Sequence, residues 1–298
     1  MHEPKNVIIK LKGGLGNQMF QYAFSRALKH SVEKAGVPIN LSYDATVYTE
    51  SGRIKKDTPR TFDLQRLYCD VSVAVEEEIT KARNPYGFFS ELYRKLEQKL
   101  IGPDDISFQP TLLQAPYKNY YEGYWQSAKY FAEIEEEIRQ AFRFRKSLRP
   151  TAKTKMQEID IEPNAVSVFY RKTDYVHHND LDVCDEAYYQ RAFTKMQKLV
   201  PNAKFFVTSD DIEWVKQNAK LPIGSVLISD KALINYVEEM EIISHCRHFI
   251  IPNSTFAWWT AYLSPHYQTA HIIAPALWSK AHNHTHYKDI APSNWLRV

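Results

Sequence analysis

AVSVFYRKTDY, from Ala165 to Tyr175, runs through six small or apolar residues without a break and then turns at once to charge. A short continuous apolar run that ends so abruptly reads as a strand buried on both faces. The same pattern recurs at Ala203 to Thr208, Ser225 to Ile228, Phe249 to Ile251 and His271 to Ala274. Between these runs lie Glu186 to Leu199, Asp211 to Ala219, Leu233 to Cys246 and Thr255 to Leu263, with apolar residues near helical spacing. Strands that alternate with helices predict a parallel sheet covered on both faces, a doubly wound α/β domain.

The first half starts the same way. Val7 to Leu11 reads as a strand, a glycine-rich turn follows, Gln18 to Ala35 reads as a helix, and Val37 to Leu41 as a second strand. Asp44 to Pro116 is less periodic. The last units of this half are expected at Tyr120 to Tyr124 and in a helix from Tyr130 to Phe142. A chain of 298 residues is about twice the usual domain size of roughly 100 to 150 residues, so two domains are expected. These are residues 1–148 and 149–298, with the boundary near Lys146 to Pro163. Two Rossmann-like domains facing a cleft would gather the loops at the carboxyl ends of their strands around one ligand.

Composition removes several classes of function. A net charge of +3 is too small and too dispersed for nucleic acid, which needs a concentrated basic stripe. Cys69, Cys184 and Cys246 are odd in number and far apart, which argues against a disulfide framework or a zinc site and suits a reducing cytosol. The N-terminus has no room for a signal peptide, and no apolar run is long enough to span a membrane. A cytoplasmic protein is expected. Phe88, Phe89, Leu92, Tyr93, Leu96 and Leu100 share one face of a possible helix with Arg94, Lys95 and Lys99 nearby, but Glu91 and Glu97 dilute the charge. The expectation is therefore at most a peripheral contact with the inner face of the cytoplasmic membrane.

Four strand-to-helix loops carry candidate chemistry. Gly13-Gly14-Leu15-Gly16-Asn17-Gln18 opens a helix, where backbone N–H groups and the helix dipole favour an anion. Gly14, Gly16 and Gln18 are candidate ligand contacts there, and Asn17 and Gln18 add two amides that a purely structural turn does not need. In Arg171-Lys172-Thr173-Asp174, Arg171 can hold a pyrophosphate bidentately and stabilise charge that grows on it. Lys172 and Asp174 join it as candidates, and an Arg171 to Asp174 ion pair is the alternative. In Ser209-Asp210-Asp211, one carboxylate can cap the next helix while the other is free to accept from the N–H edge of a guanine. In Asn253-Ser254-Thr255-Phe256, the hydroxyls can cap a helix and donate to a phosphate together. Trp258 and Trp259 read as core, being inside that helix.

Two features look like metal sites and carry little. Asp180-Leu181-Asp182 has the DxD form, but such triplets are common by chance. His282, His284 and His286 lack a fourth ligand of settled position.

Taken together, GGLGNQMFQYA from Gly13 to Ala23, YEGYWQS from Tyr121 to Ser127, FVTSDD from Phe206 to Asp211 and NSTFAWW from Asn253 to Trp259 resemble the bacterial α-1,2-fucosyltransferases of glycosyltransferase family 11. They occur in family order across nearly the whole chain. The resemblance implies a GT-B fold, inversion at the anomeric carbon, GDP-fucose as donor and no metal or other cofactor. It matches Arg171 to a β-phosphate contact, Asp210 to a carboxylate near guanine, Ser254 and Thr255 to hydroxyls near the phosphates, and Asn17 and Gln18 to a loop facing the reacting centre. Where the family pattern reads HxRRGDYV, this chain has Phe169 for the histidine, Lys172 for the second arginine and Thr173 for the glycine.

The expected reaction moves L-fucose to the 2-hydroxyl of a terminal galactose, on an oligosaccharide or lipid-linked glycan. Arg171 and the helix start at Ser254 stabilise the leaving GDP, and a base takes the acceptor proton. His177, His178, Asp180 and Asp182 are candidates for the base, with His178 favoured because histidine titrates nearest neutrality. Two rivals stand beside this reading: transfer of another GDP-deoxysugar such as colitose, and a non-catalytic module that binds glycan or nucleotide.

Overall fold

A computed structural model describes residues 3–49, 60–84, 106–114, 119–173, 180–280 and 287–298. The chain divides into two compact units. The first is Met1–Arg145 with Thr285–Ile290, and the second is Lys146–His284 with Ala291–Val298.

The second unit carries a parallel sheet of strands β4 (Ala165–Tyr170), β5 (Lys204–Ser209), β6 (Val226–Leu227), β7 (His248–Ile250), β8 (Ile272–Ala274) and β9 (Leu296–Arg297). Their spatial order is β6-β5-β4-β7-β8-β9. The chain winds from β4 outward to β6, then returns to the other side of β4 and winds outward again. All six residues of β4 are buried, as a central strand covered by helices on both faces requires. Beneath it pack Tyr188, Tyr189, Ala192, Phe193 and Met196 of the helix Glu186–Leu199. The helix Thr255–Tyr262 is buried nearly all round, and Trp258 and Trp259 are wholly inside. Core packing is thus their role.

The first unit has a smaller parallel sheet of β1 (Lys5–Lys10), β2 (Ile39–Asp44) and β3 (Tyr120–Tyr121), in the order β2-β1-β3. A helix at Leu15–Lys34 presents Met19, Phe20, Ala23, Phe24, Ala27 and Leu28 to the core. It begins three residues earlier than its apolar pattern suggests, so Gly16 and Asn17 lie in its first turn.

Several local expectations need correction. Tyr130 to Phe142 is not one helix: 3-10 turns at Ala128–Tyr130 and Ala132–Ile134 lead into a helix at Glu135–Ala141. The segment expected to form the domain boundary contains a helix at Pro150–Asp160, because Pro150 at its first position lacks an N–H that the helix would leave unbonded anyway. The short strand Leu296–Arg297 closes the sheet edge where no strand was expected. Cys69, Cys184 and Cys246 are all free and buried. Among the described residues no helix is long and apolar enough to cross a membrane, and none of their His, Cys, Asp or Glu side chains form a group able to hold a metal ion. The stretch from Phe88 to Leu100 and the three histidines His282, His284 and His286 lie outside the described residues.

Candidate functional site

In an open parallel sheet, ligands bind outside the carboxyl ends of the strands, at the point where the winding reverses. For the second unit that point lies between β4 and β7. The loops that leave these strands begin at Arg171 and at Ile251, and they carry two of the four candidate motifs. Consecutive tyrosines hold the strand ends: Tyr189 donates from its hydroxyl to the Phe169 carbonyl at 2.9 Å, and Tyr188 to the Ile251 carbonyl at 2.5 Å. The ring of Tyr189 also stacks on Tyr170, with centroids 3.7 Å apart.

Arg171 is held from the neighbouring strand. Its Nη1 lies 3.1 Å from Asp210 Oδ2. The same carboxylate accepts from the Lys172 N–H at 2.7 Å, from the Thr173 N–H at 3.3 Å and from the Thr173 hydroxyl. Asp210 therefore grips Arg171, Lys172 and Thr173, the start of the loop after β4. This corrects one expectation: the carboxylate expected to stay open for a guanine edge is engaged within the protein. The alternative ion pair of Arg171 with Asp174 lies outside the described residues.

Asp211 caps the helix Ile212–Asn218, accepting from the Trp214 N–H at 3.1 Å. Its own N–H is taken by Ser209 Oγ. Lys172, expected beside a phosphate, instead places its Nζ 4.5 Å from the centre of the Trp214 ring. It is a buried residue held in a cation–π contact.

On the β7 side, Asn253 is 2% exposed and braces its loop by donating from Nδ2 to the carbonyls of Leu181 and Trp278, each at 2.9 Å. Its Oδ1 receives the Cys184 thiol, which burial pushes up to about 12. Ser254 caps the helix Thr255–Tyr262, its hydroxyl accepting from the Ala257 N–H. Thr255 and Phe256 are half-buried in the first turn. Phe256 meets Phe169, their ring centroids 5.7 Å apart and tilted by 40°. The position where the family pattern has histidine is thus an apolar contact between the end of β4 and the helix after β7.

Sequence reasoning missed one buried group behind these loops. Glu239, in the helix Tyr236–Ser244, is 7% exposed. Burial raises its carboxyl to about 7, a hydrogen bond to Ser229 opposes the rise, and the charge of Asp210 adds to it. Ser229 in turn accepts the Ser209 N–H at 2.9 Å. An acidic residue inside a sequence as polar as YVEEMEIIS gives no sign of burial.

In the first unit, Gly13 has φ +82, a left-handed conformation suited to glycine. Gly14 and Gly16 do not share it, Gly14 being the extended N-cap. Gln18, expected to face a ligand, is wholly buried. Its amide nitrogen donates to the carbonyls of Gly13 and Thr61, and its oxygen accepts the Asp63 N–H. It shapes the loop from inside. Asn17 is half-buried and accepts a hydrogen bond from Gln126 Nε2 at 2.9 Å. Among the candidate bases, His177 and His178 lie outside the described residues. The Asp180 carbonyl accepts from Lys280 and Ser279.

The sequence profile of glycosyl transferase family 11 matches residues 88–298, a span that includes every loop of the β4–β7 site. The chain belongs to glycosyl transferase family 11. It is 27% identical to an alpha-1,2-colitosyltransferase of Escherichia coli, over 98% of each chain. To the O-antigen biosynthesis glycosyltransferase WbnK of the same organism it is 23% identical, over 97% of this chain and 99% of the relative. Among solved structures it is similar to the fucosyltransferase NodZ from Bradyrhizobium, at a TM-score of 0.54 and 14% identity, over 88% of this chain and 95% of NodZ. At that identity the likeness speaks for fold, an α/β fold of GT-B type. The family 11 chain thus places Arg171, Asp210, Ser254 and Phe256 just beyond the carboxyl ends of the adjacent strands β4, β5 and β7.

Proposed function

We propose that this chain transfers a 6-deoxysugar, L-fucose first among them, from a GDP-linked donor to the 2-hydroxyl of a terminal galactose on a glycan. The observation that carries the reading is Arg171, fixed by Asp210 at the sheet's reversal point. A guanidinium held in place needs little reorganisation as charge grows on a departing diphosphate. Ser254 opens a helix on the adjacent strand, so N–H groups and dipole favour the same anion. Together these groups supply cationic stabilisation of the leaving group, so the reading assigns the task to the protein and not to a metal.

The sugar gains oxocarbenium character as the bond to GDP lengthens, and the acceptor hydroxyl attacks from the opposite side with inversion. Its proton passes to a base among His177, His178, Asp180 and Asp182, with His178 preferred because histidine is the side chain that ordinarily titrates nearest neutrality. The acceptor is read as an oligosaccharide or lipid-linked glycan, met in the cytoplasm or at the inner face of its membrane. The O-antigen relative supports a surface-glycan acceptor.

A second donor has its own support. The relative named as a colitosyltransferase matches along the full chain, and colitose lacks one ring hydroxyl of fucose. Offering GDP-fucose and GDP-colitose side by side, with acceptors that end in galactose, separates the two by acceptor-dependent release of GDP. Failure of both donors, in a protein that is folded, would leave the reading without support.

A further inference from the structure

The first unit has a reversal point of its own. Its chain passes from β1 to β2 on one side and returns to β3 on the other, so the rule that places ligands between such strands points to the crevice between β1 and β3. The first turn of the helix after β1 and the loop after β3 are joined there by a hydrogen bond from Gln126 Nε2 to Asn17 Oδ1. The bond has a chemical consequence. With one lone pair of its oxygen engaged, the carboxamide of Asn17 is fixed in orientation, its Nδ2 hydrogens directed away from Gln126. Among the described residues nothing accepts from that nitrogen, which lies over Gly13, where an added Cβ would stand only 2.4 Å away.

The effort spent in placing Gln126 is visible in its neighbours. Trp125 has φ +46, a strained conformation for a bulky residue. It is kept there by burial and by stacking on Phe24, with centroids 4.1 Å apart and planes within 9°. Gly123 is bare beneath the indole, since a Cβ there would come within 2.8 Å of it. The Gly123 carbonyl is tied by Gln21 Nε2 at 3.0 Å. The same loop after β3 carries groups suited to a polyhydroxylated ligand: the Tyr124 ring, with Lys12 Nζ 4.4 Å from its centre, and Glu122, bonded to Lys10 at 3.0 Å. Burial raises the Glu122 carboxyl, but the hydrogen bond from Lys10 and the charges of Lys10 and Lys12 outweigh it and leave it below the usual range.

We infer that Gln126 is a positioning residue that fixes the Asn17 carboxamide as a hydrogen-bond donor to a hydroxyl oxygen of the acceptor sugar. The inference rests on the transferase reading above. Gln126 acts through Asn17, and the strained turn at Trp125 exists to deliver it.

The test is a double-mutant cycle on the full chain, with whichever GDP-sugar the wild type turns over and a galactose-ended acceptor. Asn17→Ala and Gln126→Ala should each lower kcat/KM for the acceptor by about tenfold, with GDP affinity and Tm close to wild type. The double variant should be no worse than Asn17→Ala alone. Gln126→Glu, nearly isosteric but unable to donate, should turn the Asn17 amide around and lose at least as much as Gln126→Ala. Losses that multiply in the double variant, activity that follows Tm, or a Gln126→Glu variant as active as wild type would each overturn the inference while leaving the transferase reading intact. A folded wild type that neither binds GDP nor releases it from a GDP-sugar would overturn that reading, and this inference with it.

Discussion

Arg171 and Asp210 form an ion pair at 3.1 Å between the loops of two adjacent parallel strands, and the same carboxylate holds the backbone of Lys172 and Thr173. Removing its charge should therefore weaken the hold on the guanidinium while leaving an oxygen to accept from the backbone. Asp210→Asn is expected to lower kcat/KM for the donor by about 10- to 100-fold, the range for losing a charge-assisted contact. Asp210→Ala should in addition lower stability by about 1–3 kcal/mol, because it leaves two N–H groups without their acceptor. Steady-state kinetics and urea denaturation of both variants separate these effects.

The ring of Phe169 is 4% exposed and packed on Phe256. Restoring the family's histidine there places a polar ring against an apolar one. Phe169→His should cost about 1–3 kcal/mol of stability and bring no gain in GDP affinity, as read by denaturation and calorimetry. Tighter GDP binding by this variant would contradict the assignment of Phe169 to packing between β4 and the helix Thr255–Tyr262.

Glu239 gives a dependence on pH with a definite sign. Its carboxyl is raised to about 7 by burial, against an ordinary 4.5, so between these values the folded chain holds a proton that the unfolded chain has released. Stability should fall as pH rises through this window and level off above it, a penalty on the order of 3 kcal/mol. Glu239→Gln carries no such proton. Relative to wild type it should gain stability on going from pH 5 to pH 8, and urea denaturation at the two pH values measures the difference.

Gly13 combines a positive φ with a close approach by the Asn17 amide. Gly13→Ala should lower stability by about 1–3 kcal/mol through backbone strain, and it should also displace Asn17. Activity is expected to fall further than the loss of stability accounts for, with the excess seen in kcat/KM for the acceptor.

The parts of this molecule that were legible in its sequence are those decided locally. The six buried residues of β4 occupy the span that their apolar run suggests, and Ser254 and Asp211 cap the helices that follow them. What was not legible depends on neighbours that are distant in sequence. Arg171 and Asp210 are far apart along the chain, and the pairing of β4 with β5 brings them together. Gln18 reads as an exposed amide until the loops carrying Thr61 and Asp63 are seen to close over it. The strand Leu296–Arg297 has too few residues to show any periodicity. Pro150, read as part of a linker, opens a helix.

Acceptor-dependent release of GDP tests the central claim most directly, measured with GDP-fucose and GDP-colitose on a panel of glycans that end in galactose, for the wild type and Arg171→Ala. The account predicts that the wild type releases GDP from at least one of these donors only when an acceptor is present, and that Arg171→Ala does so about 100-fold more slowly or worse while remaining folded. A folded wild type inactive with both donors, or an Arg171→Ala variant as fast as the wild type, would contradict it.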